Sequence, residues 1–180
     1  MKPLFLIMAL VVLGTNPLQA EEHRQHDAHE HGAAKLGMAQ EGTVIQIELD
    51  SPAFNIVGFE HAPSSAAEKD KVALLMAQLE AGSMLFGFPL AAKCQLDKFE
   101  ISSNLLDAVH VADHDQSSDS GHSDIEASWT YSCGEPALVG AVAFPLFLYF
   151  ENLLDLDVDF IMDAGQGSVE LSPANSVISF

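Results

Sequence analysis

The sequence predicts an α+β fold: a mostly antiparallel sheet domain with one or two short helices and a His/Asp-rich loop. Three observations carry that class. Apolar and polar residues alternate with period two in several short segments separated by turn residues. One segment repeats at helical spacing behind a capping signal. A run of histidine, serine and acidic residues separates two of the strand-like segments and has no hydrophobic period.

The chain begins with an export signal. Lys2 precedes an apolar run from Leu4 to Leu13, and Pro17-Leu18-Gln19-Ala20 ends on a small residue. That is the layout of a signal peptide over residues 1–20, with cleavage after Ala20. A buried N-terminal helix is the competing reading. No cysteine stands near the cleavage point to take a lipid anchor. No later stretch reaches the ~20 apolar residues of a membrane span. Residues 21–31 follow as a flexible histidine-rich tail, and residues 32–180 as one α+β domain.

The elements of that domain follow in order. Ala34 to Ala39 and Thr43 to Leu49 alternate around Gln40-Glu41-Gly42, a hairpin signal. Ser51-Pro52 interrupts, and Ile56-Val57-Gly58-Phe59 reads as a short buried strand ending at Glu60-His61-Ala62-Pro63. Ser65 and Glu68 form a capping box ahead of Val72, Leu75, Met76 and Leu79, which share one helix face, and Gly82 stops the helix. Cys94 to Ile101 and Asp124 to Cys133 read as strands, with Trp129 and Tyr131 as core or cross-strand anchors. After Pro136 come the apolar run Leu138 to Phe144 and a short helix within Pro145 to Leu153. Leu156 to Met162 is a strand that places Asp155, Asp157 and Asp159 on one solvated face. Ser168 to Leu171 and Val177 to Phe180 close the chain.

Composition and histidine placement carry the chemistry. The formal net charge is −19, and loss of the leader removes one further positive charge, Lys2. Such a field repels nucleic acid and anionic lipid and attracts cations. Seven of the 8 histidines fall in two clusters. His23, His26, His29 and His31 lie in the tail. His110, His114 and His122 lie in the loop 107–126, among carboxylates that include Asp113, Asp115 and Glu126. Imidazole suits zinc, copper and nickel, and carboxylates fill remaining positions. The competing readings are a cleavage-site spacer for the tail and an acidic solvated loop. Neither H-E-x-x-H nor G-x-S-x-G occurs, so the sequence points away from an enzyme. In an exported chain Cys94 and Cys133 form one disulfide by default, joining the strands that carry the loop. A Cys/His zinc site is the alternative.

The block HEHGAAKLGMAQEGTVIQIELDSPAFNIVGFEHAP, residues 29–63, resembles the start of the zinc-regulated periplasmic proteins called ZrgA. So do the Cys94 strand, the histidine-acid loop, the strand ending WTYSC and the closing strand with Gly165-Gln166. The resemblance covers nearly the whole mature chain. It implies a periplasmic zinc-binding protein, with Zn2+ as its ion, that assists high-affinity uptake alongside an ABC importer and its periplasmic component. It marks the tail and loop histidines as metal-binding and raises a joint site of His31 with Glu60 and His61. The loop, with three histidines, is short for the family.

Tethering at both ends predicts that His110, His114 and His122, aided by Asp113, Asp115 or Glu126, form the tighter site, and the tail a weaker one. A preformed site using His29, His31, Glu60 or His61 is the competing arrangement. The rival functions are copper or nickel storage or detoxification, and an exported structural domain with incidental histidines.

Overall fold

The computed structural model describes residues 30–106 and 123–180. The frame is a six-stranded sheet. β1 (Ala33–Glu41) and β2 (Val44–Pro52) form a hairpin turned by Gly42 at φ 59 and Thr43. The ladder runs on through Gln40 and Glu41, so the turn is two residues, tighter than the Gln40–Gly42 signal indicated. β3 (Cys94–Ser102) and β4 (Asp124–Cys133) are antiparallel, and β4 continues onto β2. On the other side β6 (Asp155–Met162) pairs parallel to β1, and β7 (Gly165–Leu171) returns antiparallel to β6. The order is β3-β4-β2-β1-β6-β7. The sheet is therefore mostly antiparallel, as expected, with one parallel pair, β1–β6.

Period-two alternation sorts the two faces. Leu36, Met38, Ile45, Ile47, Leu49, Ala127, Trp129, Tyr131 and Val158 all point inward and are buried. Over that face lies α2 (Ala66–Glu80), which buries Val72, Leu75 and Leu79 and whose Leu79 carbonyl accepts from Trp129 Nε1 at 2.7 Å. The capping box is present: Ser65 Oγ accepts from the Glu68 N–H, and Glu68 Oε2 accepts from the Ser65 N–H at 2.9 Å. The rest of the cover is a small ladder of β5 (Ala141–Ala143) with β8 (Val177–Ser179), plus the buried Phe144, Leu146, Phe147, Phe150 and Leu153.

Two segments differ from expectation. The run at Ile56–Phe59 is not a strand; Ala53–Val57 form a one-turn helix, α1, between Pro52 and Gly58, which closes it at φ 84. A four-residue apolar run cannot distinguish a buried strand from a buried helical turn, and Pro52 has the fixed φ that favours a helix start. The helix expected within Pro145–Leu153 is a single 3-10 turn, Pro145–Leu148, and Pro136–Leu138 form another ahead of β5.

The disulfide is formed between Cys94 and Cys133, facing partners in the β3–β4 ladder. It closes the end of that ladder remote from the loop. At the loop end Ser102 pairs with Glu126, Ser103 Oγ donates to the Asp124 carbonyl, and the Ala53 N–H donates to the Ser123 carbonyl at 2.8 Å.

Candidate metal centre

The solvent face of the sheet concentrates the acidic charge. One continuous row across it reads Ser102, Glu126, Asp50, Lys35, Asp157, Glu170. The next reads Glu100, Ser128, Glu48, Gly37, Asp159, Ser168. Asp155, Asp157 and Asp159 are exposed on this face, as the alternation required. Glu126, expected as a loop ligand, stands in β4 beside Asp50. Among the described residues no three His, Cys, Asp or Glu side chains converge as a ready metal cage.

The imidazoles of the described residues are organised differently, each as a couple with one carboxylate and one aromatic ring. His31 stands two residues before the start of β1. Gly32 turns the backbone there with φ 98, and the Ala33 N–H donates back to the Glu30 carbonyl. The His31 ring lies flat on Phe54 of α1, centroids 4.2 Å apart and planes 14° apart. Its Nε2 is 3.0 Å from Glu60 Oε1. The Glu60 side chain is 8% exposed and that of His31 48%, so the carboxylate is sheltered while the imidazole opens to solvent.

His61 faces another way. Its Nδ1 lies 3.1 Å from the Ala62 carbonyl, which can only accept, so Nδ1 is the donor there. The ring stacks on Phe59, with Nε2 3.8 Å from Glu68 Oε1. Glu68 is held down at about 2, from an ordinary 4.5, chiefly by the backbone N–H of Ser65 and then that of Ser64. It is therefore an anion across the neutral and mildly acid range. The structure thus brings His31 and Glu60 together and couples His61 with the capping residue of α2. His23, His26, His29, His110, Asp113, His114, Asp115 and His122 lie outside the described residues.

The donor set of the first couple fits zinc. Two ligands about 2.0 Å from a tetrahedral ion lie roughly 3.3 Å apart, close to the 3.0 Å between His31 Nε2 and Glu60 Oε1. If Nε2 instead donates to Glu60, the carboxylate orients the ring and Nδ1 becomes the ligating atom, a common arrangement around zinc-bound histidine. Either way the couple would offer at most two ligands, since no third His, Cys, Asp or Glu joins it among the described residues. Sequence reasoning overlooked Phe54, Asn55 and the pairing of Glu68 with His61. The one available signal was Asn55, a lone amide within the apolar block Pro52–Phe59.

The fold and this site define a small acidic α+β protein, closed by a disulfide and presenting imidazole–carboxylate couples at its surface. Residues 28–180 match the family model described as ZrgA family zinc uptake protein, and the chain belongs to that family. Its role is accordingly related to zinc uptake. No curated protein matches the chain. Among the described residues no helix is long and apolar enough to cross a membrane.

Proposed function

We propose that the chain is a periplasmic, non-enzymatic zinc-binding protein that captures zinc and passes it toward high-affinity uptake by an ABC importer, through the importer's periplasmic component. The signal-peptide layout read over residues 1–20 supports export, and the family supports zinc as cargo. The observation that carries the reading is the His31–Glu60 couple, whose donors stand at zinc-ligand spacing on a folded element. It anchors the tightest site. Water, or His29 two residues earlier, fills the remaining positions, which leaves the ion accessible for transfer. The other tail histidines and His110, His114 and His122 add weaker capacity, because gathering ligands spaced along the sequence around an ion costs ordering entropy.

Zinc titration of the mature protein against a competing chelator tests this. His31→Ala and Glu60→Gln should each weaken the tightest site by 10-fold or more, a typical loss for one ligand or its orienting partner being about 10–100-fold. The double variant His110→Ala with His114→Ala should lower stoichiometry and leave the tightest site in place. The reverse pattern would move the principal site to the loop. Elemental analysis of untagged protein from its own periplasm should find zinc; copper or nickel instead would overturn the cargo assignment.

A further inference from the structure

We infer that Asn55 is a positioning residue that holds the His31–Glu60 couple in register for zinc, an inference that rests on the function proposed above. Asn55 is fully buried, on the inner side of α1. A buried amide is retained at little cost only when its polar atoms are satisfied, and here each is. Oδ1 accepts from the Gly32 N–H at 2.7 Å, and Nδ2 donates to the Ala33 carbonyl at 2.7 Å and to Ser51 Oγ at 3.2 Å. Two of these bonds go to the two residues that follow His31. The Gly32 carbonyl is held from the opposite side by the N–H groups of Leu154 and Asp155, at 2.8 and 2.9 Å. The backbone leaving His31 is therefore clamped through both the N–H and the carbonyl of Gly32, in a left-handed turn that suits glycine.

The same one-turn helix carries the other parts of the site. Phe54, the neighbour of Asn55, provides the ring under His31, and its carbonyl is tied to Asn152 Nδ2. Glu60 follows two residues after Gly58, the helix C-cap. Asn55 thus couples the segment that bears the imidazole to the helix that bears its stacking partner and leads to its carboxylate. Without it, the turn at His31–Gly32 would lose its two hydrogen bonds to Asn55 of α1, and the ligand pair would have to be assembled as the ion binds. Fixing ligand geometry in advance raises affinity by removing that ordering cost.

The test combines zinc affinity with a direct probe of His31. Asn55→Ala and the milder Asn55→Asp, which keeps an acceptor for Gly32, are made with and without His31→Ala. Each is checked for a cooperative melt, then titrated with zinc against a chelator. Proton NMR follows the His31 ring, whose resonances are shifted by stacking on Phe54. The expected result is a folded variant that loses this ring shift and binds zinc about 10-fold more weakly, as for other residues that orient a ligand. In the His31→Ala background the same substitution should change nothing further, since residues acting through one another are non-additive. An unchanged ring shift, or an equal loss of affinity in both backgrounds, overturns the assignment of Asn55. If His31→Ala itself leaves zinc affinity untouched, the failure lies with the proposed site, and the ring shift still reports whether Asn55 holds the imidazole.

Discussion

Gly82 offers the sharpest test of how the core is built. It follows α2 with φ 38, on the left-handed side that L side chains disfavour. A Cβ placed there would stand 2.8 Å from Tyr131 Oη, 2.9 Å from Leu96 Cδ2 and 3.1 Å from Trp129 Cδ1. Leu96 can rotate away. Trp129 cannot, because its indole is buried and bonded to the Leu79 carbonyl. Tyr131 is buried between Phe86 and Phe88. The conformational cost of Gly82→Ala is about 1–2 kcal/mol, and overpacking adds about 1–3 kcal/mol. The total of roughly 2–5 kcal/mol is large beside the ~5–15 kcal/mol stability of a typical domain. Urea unfolding followed by Trp129 fluorescence should show a midpoint lower by about 1 M or more, given slopes of about 1–3 kcal/mol per M. Gly37→Ala is the control, since a Cβ there meets nothing within 4 Å; it should be neutral or slightly stabilising. Tyr131→Phe refines the test. The phenol is buried without a hydrogen-bond partner among the described residues, so its removal should not destabilise, and it should relieve part of the Gly82→Ala penalty. A coupling of about 1 kcal/mol is expected between residues in such contact. Strict additivity, or a Gly82→Ala midpoint equal to wild type, would refute this account of the helix end.

Removal of the disulfide by Cys94→Ala with Cys133→Ala opens a link spanning 39 residues. The chain-entropy estimate is about 4 kcal/mol, with losses of about 2–5 kcal/mol usual for native bridges, so thermal melts should fall clearly, and an unchanged melt would argue against a native bridge. Glu68 has a folded pKa of about 2 against an ordinary 4.5. A lowered carboxyl stabilises the fold above the ordinary value and ceases to do so as pH falls toward the folded one. Acid titration should therefore loosen α2 between about 4.5 and 2, and Glu68→Gln should remove that step from a melt series. Lys35 separates Asp50 from Asp157 in the acidic row. Cross-strand charge pairs contribute roughly 0.2–1 kcal/mol each, so Lys35→Gln should destabilise at low salt by about 0.5–2 kcal/mol. The loss should shrink in 1 M salt, where screening acts over about 3 Å; a salt-independent loss would point to packing instead.

Local patterns decide local facts, and here they did so well. Alternation in β1, β2, β4 and β6 assigned each side chain to a face, because the period of a strand is two whatever it pairs with. Ser65, Glu68 and Gly82 marked both ends of α2, since caps are made by residues a few positions apart. The disulfide followed from a count of two cysteines and the expectation of export. What the sequence left open were the long-range choices. The order β3-β4-β2-β1-β6-β7 is one of several that would bury the same inward residues equally well, and its parallel β1–β6 pair joins segments more than a hundred residues apart. The site divided in the same way. The histidine clusters and the block around Glu60-His61 were visible as composition and resemblance. The choice of His31 over His61 as the partner of Glu60 was not, and neither was the clamp of Asn55 on Gly32 and Ala33. Those depend on α1 being a helical turn rather than a strand, which places Phe54 under His31 and turns Asn55 inward. That choice rested with Pro52, Gly58 and the packing around them, and only the tertiary structure could make it.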